Sequence, residues 1–189
     1  MTIIVAAKDD NGIIMGADRQ LTSGGLKTNT KDSKIFTKDG FIIGVTGSPR
    51  CKQLLEYSWV IPPYNSTLED ENTYLHRTVI NSIRNLFKDS GYAEINNNNE
   101  EFFDTIIMGY NKRIFTIEYN YQLREIDEPY ICVGSGQEVA YGSIYSMWNN
   151  YTEKEYPIDY IVEEALRAAA YFDIYCNDRF DIVVLKEGL

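Results

Sequence analysis

In this chain a strand begins at the second residue, and nothing else in the sequence constrains the fold as much. Residues 2–7 are β-rich and apolar from the second position of the run onward. The turn cluster Asp9-Asp10-Asn11-Gly12 follows, and then a second apolar run at residues 13–17. Two such runs across an Asn-Gly turn are a hairpin signature. Most chains open on a loose polar arm. Here the terminus itself is expected to be held in a sheet, so a reactive group on residue 2 would be fixed in space.

Further short β-like runs occupy residues 34–37, 41–46, 103–108, 113–118, 131–133 and 180–185, several set off by turn residues such as Lys38-Asp39-Gly40. Helical periodicity covers residues 51–59, ended by Pro62 and Pro63, and a second stretch carries Leu75, Val79, Ile83 and Phe87 at fourfold spacing. A third carries Val139, Ile144 and Trp148. The fourth starts at Pro157, places Ile158, Ile161, Val162, Ala165, Ala169 and Phe172 on one face, and is expected to stop at Asn177. The order is strands, two helices, strands, two helices, one last strand. It predicts an α+β fold, a four-layer αββα sandwich of two antiparallel sheets flanked by helices, because sheets that are apolar on both faces need covering layers. Residues 96–99 are expected to form a loop tip. With 189 residues and no linker, residues 1–189 are expected to form a single domain.

Charge and residue counts exclude several classes of function. A formal net charge of −10 with scattered Lys and Arg offers no footprint for a phosphate backbone, so nucleic acid is not an expected partner. Three widely spaced cysteines, Cys51, Cys132 and Cys176, without any CxxC suit neither a disulfide framework nor a zinc site, and are expected to be reduced, buried thiols. There is no basic-then-apolar leader and no run of the roughly 18 apolar residues a membrane span needs. The expected setting is therefore cytoplasmic, with no membrane partner, and the triplets Asn65-Ser66-Thr67 and Asn150-Tyr151-Thr152 are expected to be chance matches to a glycosylation signal. His76, the sole histidine, lies in a polar helical context and is expected at the surface, which disfavours a Ser-His-Asp triad or a zinc centre.

A hydroxyl is a weak nucleophile at neutral pH and needs a base within reach; a terminal threonine brings one, its own α-amine. That amine titrates ordinarily at about 7.7–8.0, and a nearby cation lowers it. Such chemistry requires a terminal Thr, a lysine, and an acid to orient the lysine. Thr2 follows Met1 directly, Asp18 ends the second run, and Lys34 opens the Lys-Ile-Phe segment sixteen residues further on. Each alone reads as an ordinary residue, the charges as solvated strand ends. The strand at residues 41–46 contains Gly44 and is followed by Gly47, a GxxG pattern in which Gly44 N–H is the candidate oxyanion donor; a bulge or a turn is the structural alternative. Gly134-Ser135-Gly136 falls between a strand and a helix, so its amides or hydroxyl are candidates to face a site.

Taken in order, these segments resemble the proteasome β-type subunits and the bacterial peptidase HslV, threonine peptidases of the N-terminal nucleophile hydrolase superfamily. The match runs from Thr2 through Gly16-Ala17-Asp18, Lys34-Ile35-Phe36, Ile42–Gly47 and Gly134-Ser135-Gly136 to Asp173-Ile174-Tyr175-Cys176-Asn177, nearly the whole chain. The resemblance implies Thr2 as nucleophile, Lys34 lowering the amine's pKa, Asp18 orienting Lys34, Gly44 donating to the oxyanion, and Ser135 and Asp173 steadying the amine. It implies Ile42 as the residue shaping the pocket for the side chain before the cut, and Ala170, Asp173 and Cys176 as backbone ligands of a structural monovalent cation such as sodium. No cofactor is required. Expected partners are a peptide or unfolded protein substrate, further copies of the chain in a homo-oligomeric ring, and an ATPase unfoldase. No propeptide is expected before Thr2, so removal of Met1 alone is expected to activate the chain. Two departures stand out: Ile3 follows Thr2 where the family usually has a second threonine, and Ser48-Pro49-Arg50 replaces a small or acidic run. The alternatives in the same fold are a non-catalytic ring or scaffold subunit and an amidase acting on a small molecule.

Overall fold

The computed structural model describes residues 2–96, 98–148 and 156–186. Met1 and the Asn150-Tyr151-Thr152 triplet lie outside the described residues.

The opening hairpin forms as expected. Strand β1 (Ile3–Asp9) pairs antiparallel with β2 (Gly12–Asp18), with Ile4 opposite Ala17 and Asp9 opposite Gly12. The two strands form the centre of a four-stranded sheet of order β12-β1-β2-β13, whose outer members are β12 (Tyr130–Gly134) and β13 (Phe180–Lys186). A second sheet has five antiparallel strands in the order β11-β10-β9-β6-β5: Leu123–Ile126, Arg113–Ile117, Thr105–Tyr110, Phe41–Thr46 and Ile35–Lys38. Because side chains alternate faces along a strand, β1 divides its apolar residues between two cores. Ile3, Val5 and Ala7 pack on Ile161, Val162, Ala165 and Ala169 of helix α5 (Ile158–Phe172) and on Ala140 and Ile144 of helix α4 (Gln137–Trp148). Ile4 and Ala6 turn inward to meet Ile35, Ile42, Ile107 and Ile114 of the other sheet. The second sheet's outer face carries Phe41, Ile43, Val45, Met108 and Phe115 against Leu54, Leu75, Val79, Ile83 and Phe87. Helices, sheet, sheet, helices is the four-layer αββα sandwich, with three cores between four layers.

The helices differ in detail from their expected bounds. Helix α1 (Pro49–Gln53) starts with Ser48 as cap, its Oγ accepting the Arg50 N–H at 3.2 Å, and continues as a π-helical turn over Leu54–Ser58. The N–H of Trp59 donates to Leu54 O at 2.9 Å, the i to i+5 spacing of that turn. Between α2 (Glu71–Thr73, capped by Asp70) and α3 (Ile80–Asp89) lies a second π-helical stretch, Tyr74–Val79. His76 is exposed there, as expected. Helix α4 spans Gln137–Trp148. Helix α5 (Ile158–Phe172) stops before Asn177, because Asp173 at its C-cap is extended (φ −99°, ψ 117°), and Phe172, expected on the buried face, is 70% exposed.

Two further hairpins stand outside the sheets: β3 (Gln20–Ser23) with β4 (Leu26–Asn29), and β7 (Glu94–Asn96) with β8 (Asn99–Glu101). Asn96 and Asn99, the ends of the expected loop tip, pair with each other in the second, and Asn97 lies outside the described residues. All three cysteines are buried free thiols.

Candidate active site

Asp18 ends β2 directly beside the start of β1, and the hairpin register decides what it meets. Its side chain is 0% exposed. Oδ1 accepts the Ile3 N–H at 3.0 Å and the Lys34 ammonium at 2.7 Å, while Oδ2 accepts the Gln20 N–H at 3.0 Å. Three donors thus converge on one buried carboxylate, the arrangement that makes a buried charge tolerable. Lys34 stands one residue before β5, and its backbone oxygen accepts the Val45 N–H at 3.0 Å. Its side chain is 13% exposed, and burial pushes its pKa below the ordinary lysine value against the opposing pull of Asp18.

Thr2 is itself buried. Its carbonyl oxygen accepts the Ser135 N–H at 2.8 Å and the Ser135 hydroxyl at 3.4 Å. The turn that delivers Ser135 needs glycine before it: Gly134 has φ +112°, and a Cβ there would stand 1.9 Å from that same oxygen. Below Ser135 lie Cys176, its sulfur 3.8 Å from the hydroxyl and donating to Asp173 Oδ2 at 3.4 Å, and Asp173, whose Oδ1 accepts the Tyr175 N–H at 2.9 Å. Burial pushes the Asp173 carboxyl up, but donors from Ser135, Tyr175 and Cys176 outweigh it, leaving its pKa below the usual value. Burial drives the Cys176 thiol up to about 12, so it stays protonated and inert at neutral pH.

Thr2 and Lys34 open on a cleft of about 230 Å³ whose wall also includes Val45, Gly47, Ser48, Lys52 and Tyr57. A roomier concavity of about 510 Å³, lined by Lys27, Arg167 and Tyr171 among others, contains neither Thr2 nor Lys34. Of the sequence candidates, Thr2, Asp18, Lys34, Ser135 and Asp173 come together.

Gly44 does not. It lies mid-strand in β6, paired on both sides with Ile35 and Ile107, and a Cβ there would meet Met15 Sδ at 2.7 Å and Ile4 Cδ1 at 3.2 Å. Its missing side chain lets the two sheets approach. Ile42, expected to shape the pocket, is 0% exposed in the same inter-sheet layer. The cleft is reached instead by Val45 and Gly47, on the strand's opposite face and at its end. Successive N–H groups along an extended chain point to alternate sides. Since the Val45 N–H donates to Lys34 O, the Gly44 N–H points away toward β9 and the Gly47 N–H returns to the Lys34 side. A GxxG pattern offers two glycines, and only the sheet register distinguishes them.

Ala170, Asp173 and Cys176 lie in and just beyond the last turn of α5, where helix carbonyls lack intrahelical partners. The Asp173 carbonyl already accepts the Cys176 N–H at 3.1 Å. Among the described residues no cluster of three or more His, Cys, Asp or Glu side chains forms a metal centre, and no helix is long and apolar enough to cross a membrane.

Residues 2–185 match the family model described as Proteasome subunit. This chain belongs to the proteasome subunit family. Solved structures share the fold at low identity. Thiobacillus denitrificans BPH in complex with epoxomicin is 18% identical with a TM-score of 0.81, each chain covered in full. A second structure of the same protein is 20% identical with a TM-score of 0.79, covering 100% of this chain and 99% of that one. Eukaryotic HslV from Trypanosoma brucei is 18% identical with a TM-score of 0.70, covering 98% of this chain and 100% of that one. The family and fold agree with the resemblance drawn from the motifs.

Proposed function

We propose that this proteasome-family chain is a threonine-type endopeptidase subunit in which Thr2, once freed of Met1, is both nucleophile and base. The observation that carries this reading is the shared oxygen of Asp18, which ties the Lys34 ammonium and the Ile3 amide next to Thr2 into one buried unit at the cleft. In the forward step the α-amine takes the proton from Thr2 Oγ as Oγ attacks the substrate carbonyl carbon. The oxyanion forms in reach of the Gly47 N–H, which replaces Gly44 in that role. The amine passes its proton to the departing amine of the cut peptide, leaving an ester on Thr2. Water, deprotonated by the same α-amine, then attacks the ester carbon, and as the bond to Thr2 Oγ breaks the amine returns that proton to Oγ, releasing the acyl product as a carboxylic acid. Lys34 keeps the α-amine neutral at cellular pH by disfavouring its protonated form, and Asp18 holds Lys34 in place. Ser135 fixes Thr2 through its carbonyl, with Asp173 behind it.

Nucleophile and base reside in one residue, so the reaction calls on no cofactor; a monovalent cation held by the backbone at Ala170, Asp173 and Cys176 would be structural only. Family membership supports a homo-oligomeric ring in the cytoplasm, enclosing the sites, with peptides or unfolded proteins delivered by an ATPase partner.

Thr2→Ala is expected to abolish hydrolysis of fluorogenic peptides, a loss of at least about a thousandfold, with the thermal unfolding midpoint close to parental. Peptide hydrolysis retained in that variant would contradict the assignment of the nucleophile. Native sizing of the parental chain is expected to show a multi-subunit assembly; a monomer alone would contradict the ring.

A further inference from the structure

Gly47 and Ser48 reach the cleft with a buried carboxylate directly behind them. Asp104 stands one residue before β9, where the β6–β9 ladder ends at the pair Thr46 and Thr105. It is 6% exposed. Its Oδ1 accepts the Ser48 N–H at 2.6 Å, and its Oδ2 accepts the Tyr92 hydroxyl. Gly47 has φ +99°, and a Cβ there would stand 1.9 Å from Asp104 Oδ1, so the carboxylate sits against the glycine Cα. Tyr92 packs edge-on against Phe87 with ring centroids 5.1 Å apart. None of the steps above uses Asp104 or Tyr92.

We propose that Asp104, held by Tyr92, is a positioning residue that fixes the Gly47–Ser48 turn so that the Gly47 N–H faces the reacting carbonyl. The inference rests on the reading of Gly47 as oxyanion donor. A glycine at positive φ is the freest point in the chain, and an oxyanion donor is useful only when it is aimed before the charge appears. Two peptide planes flank Gly47. The one carrying its own N–H is held by strand β6, through the Thr46 pairing. The one carrying the Ser48 N–H has left the ladder and is held by Asp104. The same bond occupies the Ser48 amide, which leaves the Gly47 amide as the donor for substrate. A carboxylate behind an oxyanion site is electrostatically unfavourable, and the Tyr92 hydroxyl offsets this by taking part of its charge into a hydrogen bond.

The test compares Asp104→Leu, which has no acceptor, Asp104→Asn, which keeps one for the Ser48 N–H, and Tyr92→Phe, which removes only the brace. For fluorogenic peptides, Asp104→Leu is expected to lower kcat about 30-fold with KM within about twofold, the pattern of a lost transition-state contact. Asp104→Asn is expected to keep at least about half the parental kcat, and Tyr92→Phe to lose about three- to tenfold. Hydrogen exchange at the Ser48 amide is expected to be fast in Asp104→Leu and slow in Asp104→Asn. A kcat within twofold of parental in Asp104→Leu, or an Asn variant as impaired as the Leu variant, would overturn the proposal. Should the Leu variant not fold, Tyr92→Phe decides: unchanged kcat and unchanged Ser48 exchange would overturn it. Peptide hydrolysis surviving in Thr2→Ala would instead sink the threonine-peptidase reading, while the Ser48 exchange data would still report on the turn.

Discussion

Lys34→Met is expected to lower peptide hydrolysis about a thousandfold and to move the pH dependence of what remains. In the proposed mechanism the active base is the neutral α-amine of Thr2, so kcat/KM is expected to rise with pH through its pKa. In the same proposed mechanism the Lys34 ammonium, bonded at 2.7 Å to the carboxylate that also binds the Ile3 amide, is the cation that favours the neutral amine. Without it the amine returns toward its ordinary value of about 7.7–8.0. The acid limb therefore shifts to higher pH, and a limb that stays in place would contradict the role given to Lys34. Stability should fall too, because Asp18 at 0% exposure keeps its two amide donors but loses its counter-charge. Breaking a buried pair from one side costs about 3–5 kcal/mol, readable as a shift of the denaturant midpoint.

Gly134→Ala is the second large expectation. A methyl group at this position would fall 1.9 Å from the carbonyl oxygen of Thr2, a backbone atom already tied to the Ser135 amide at 2.8 Å. Neither partner can swing away as a flexible side chain would, so Thr2 must move. Displacement of about 1 Å at a nucleophile costs on the order of a hundredfold in rate, and the strain with the overpacking costs about 2–4 kcal/mol. Gly91→Ala is the control: φ there is +65° but a Cβ meets open space. It carries the conformational cost of about 1–2 kcal/mol without the collision and should leave activity unchanged. Equal activity in the two variants would show that the Gly134 turn does not hold the nucleophile.

These effects trace back to features that differ in how plainly the sequence displays them. The strand starting at Ile3, the helix carrying Ile161, Val162, Ala165 and Ala169, and the alternation of Ile3, Ile4 and Val5 between two cores follow from apolar periodicity. Asp18 and Lys34 are legible as a pair once the first hairpin is assumed, since Asp18 must return beside Ile3. Hairpin β3–β4 escapes notice because all four residues of β4 are exposed and carry no pattern. The sequence reading puts Gly44 at the cleft where the structure puts Gly47, because a glycine that lets sheets approach and one that ends a strand look alike without the register. The same limit misplaced the pocket wall at Ile42, which faces the inter-sheet layer, when Val45 faces the cleft. Asp104 and Tyr92 were invisible for a different reason. They lie 56 and 44 positions beyond Ser48, counted from the sequence, and only the β6–β9 pairing and the packing of Tyr92 on Phe87 bring them behind Gly47.

The most direct test of the central claim is intact-mass spectrometry of the purified chain with and without epoxomicin, a peptide epoxyketone that closes a ring through both the amine and the hydroxyl of a terminal threonine. The reading of Thr2 as an N-terminal nucleophile predicts loss of the Met1 mass and one stoichiometric adduct, absent in Thr2→Ala. A chain that keeps Met1 and takes no adduct, or an adduct that persists in Thr2→Ala, would contradict it.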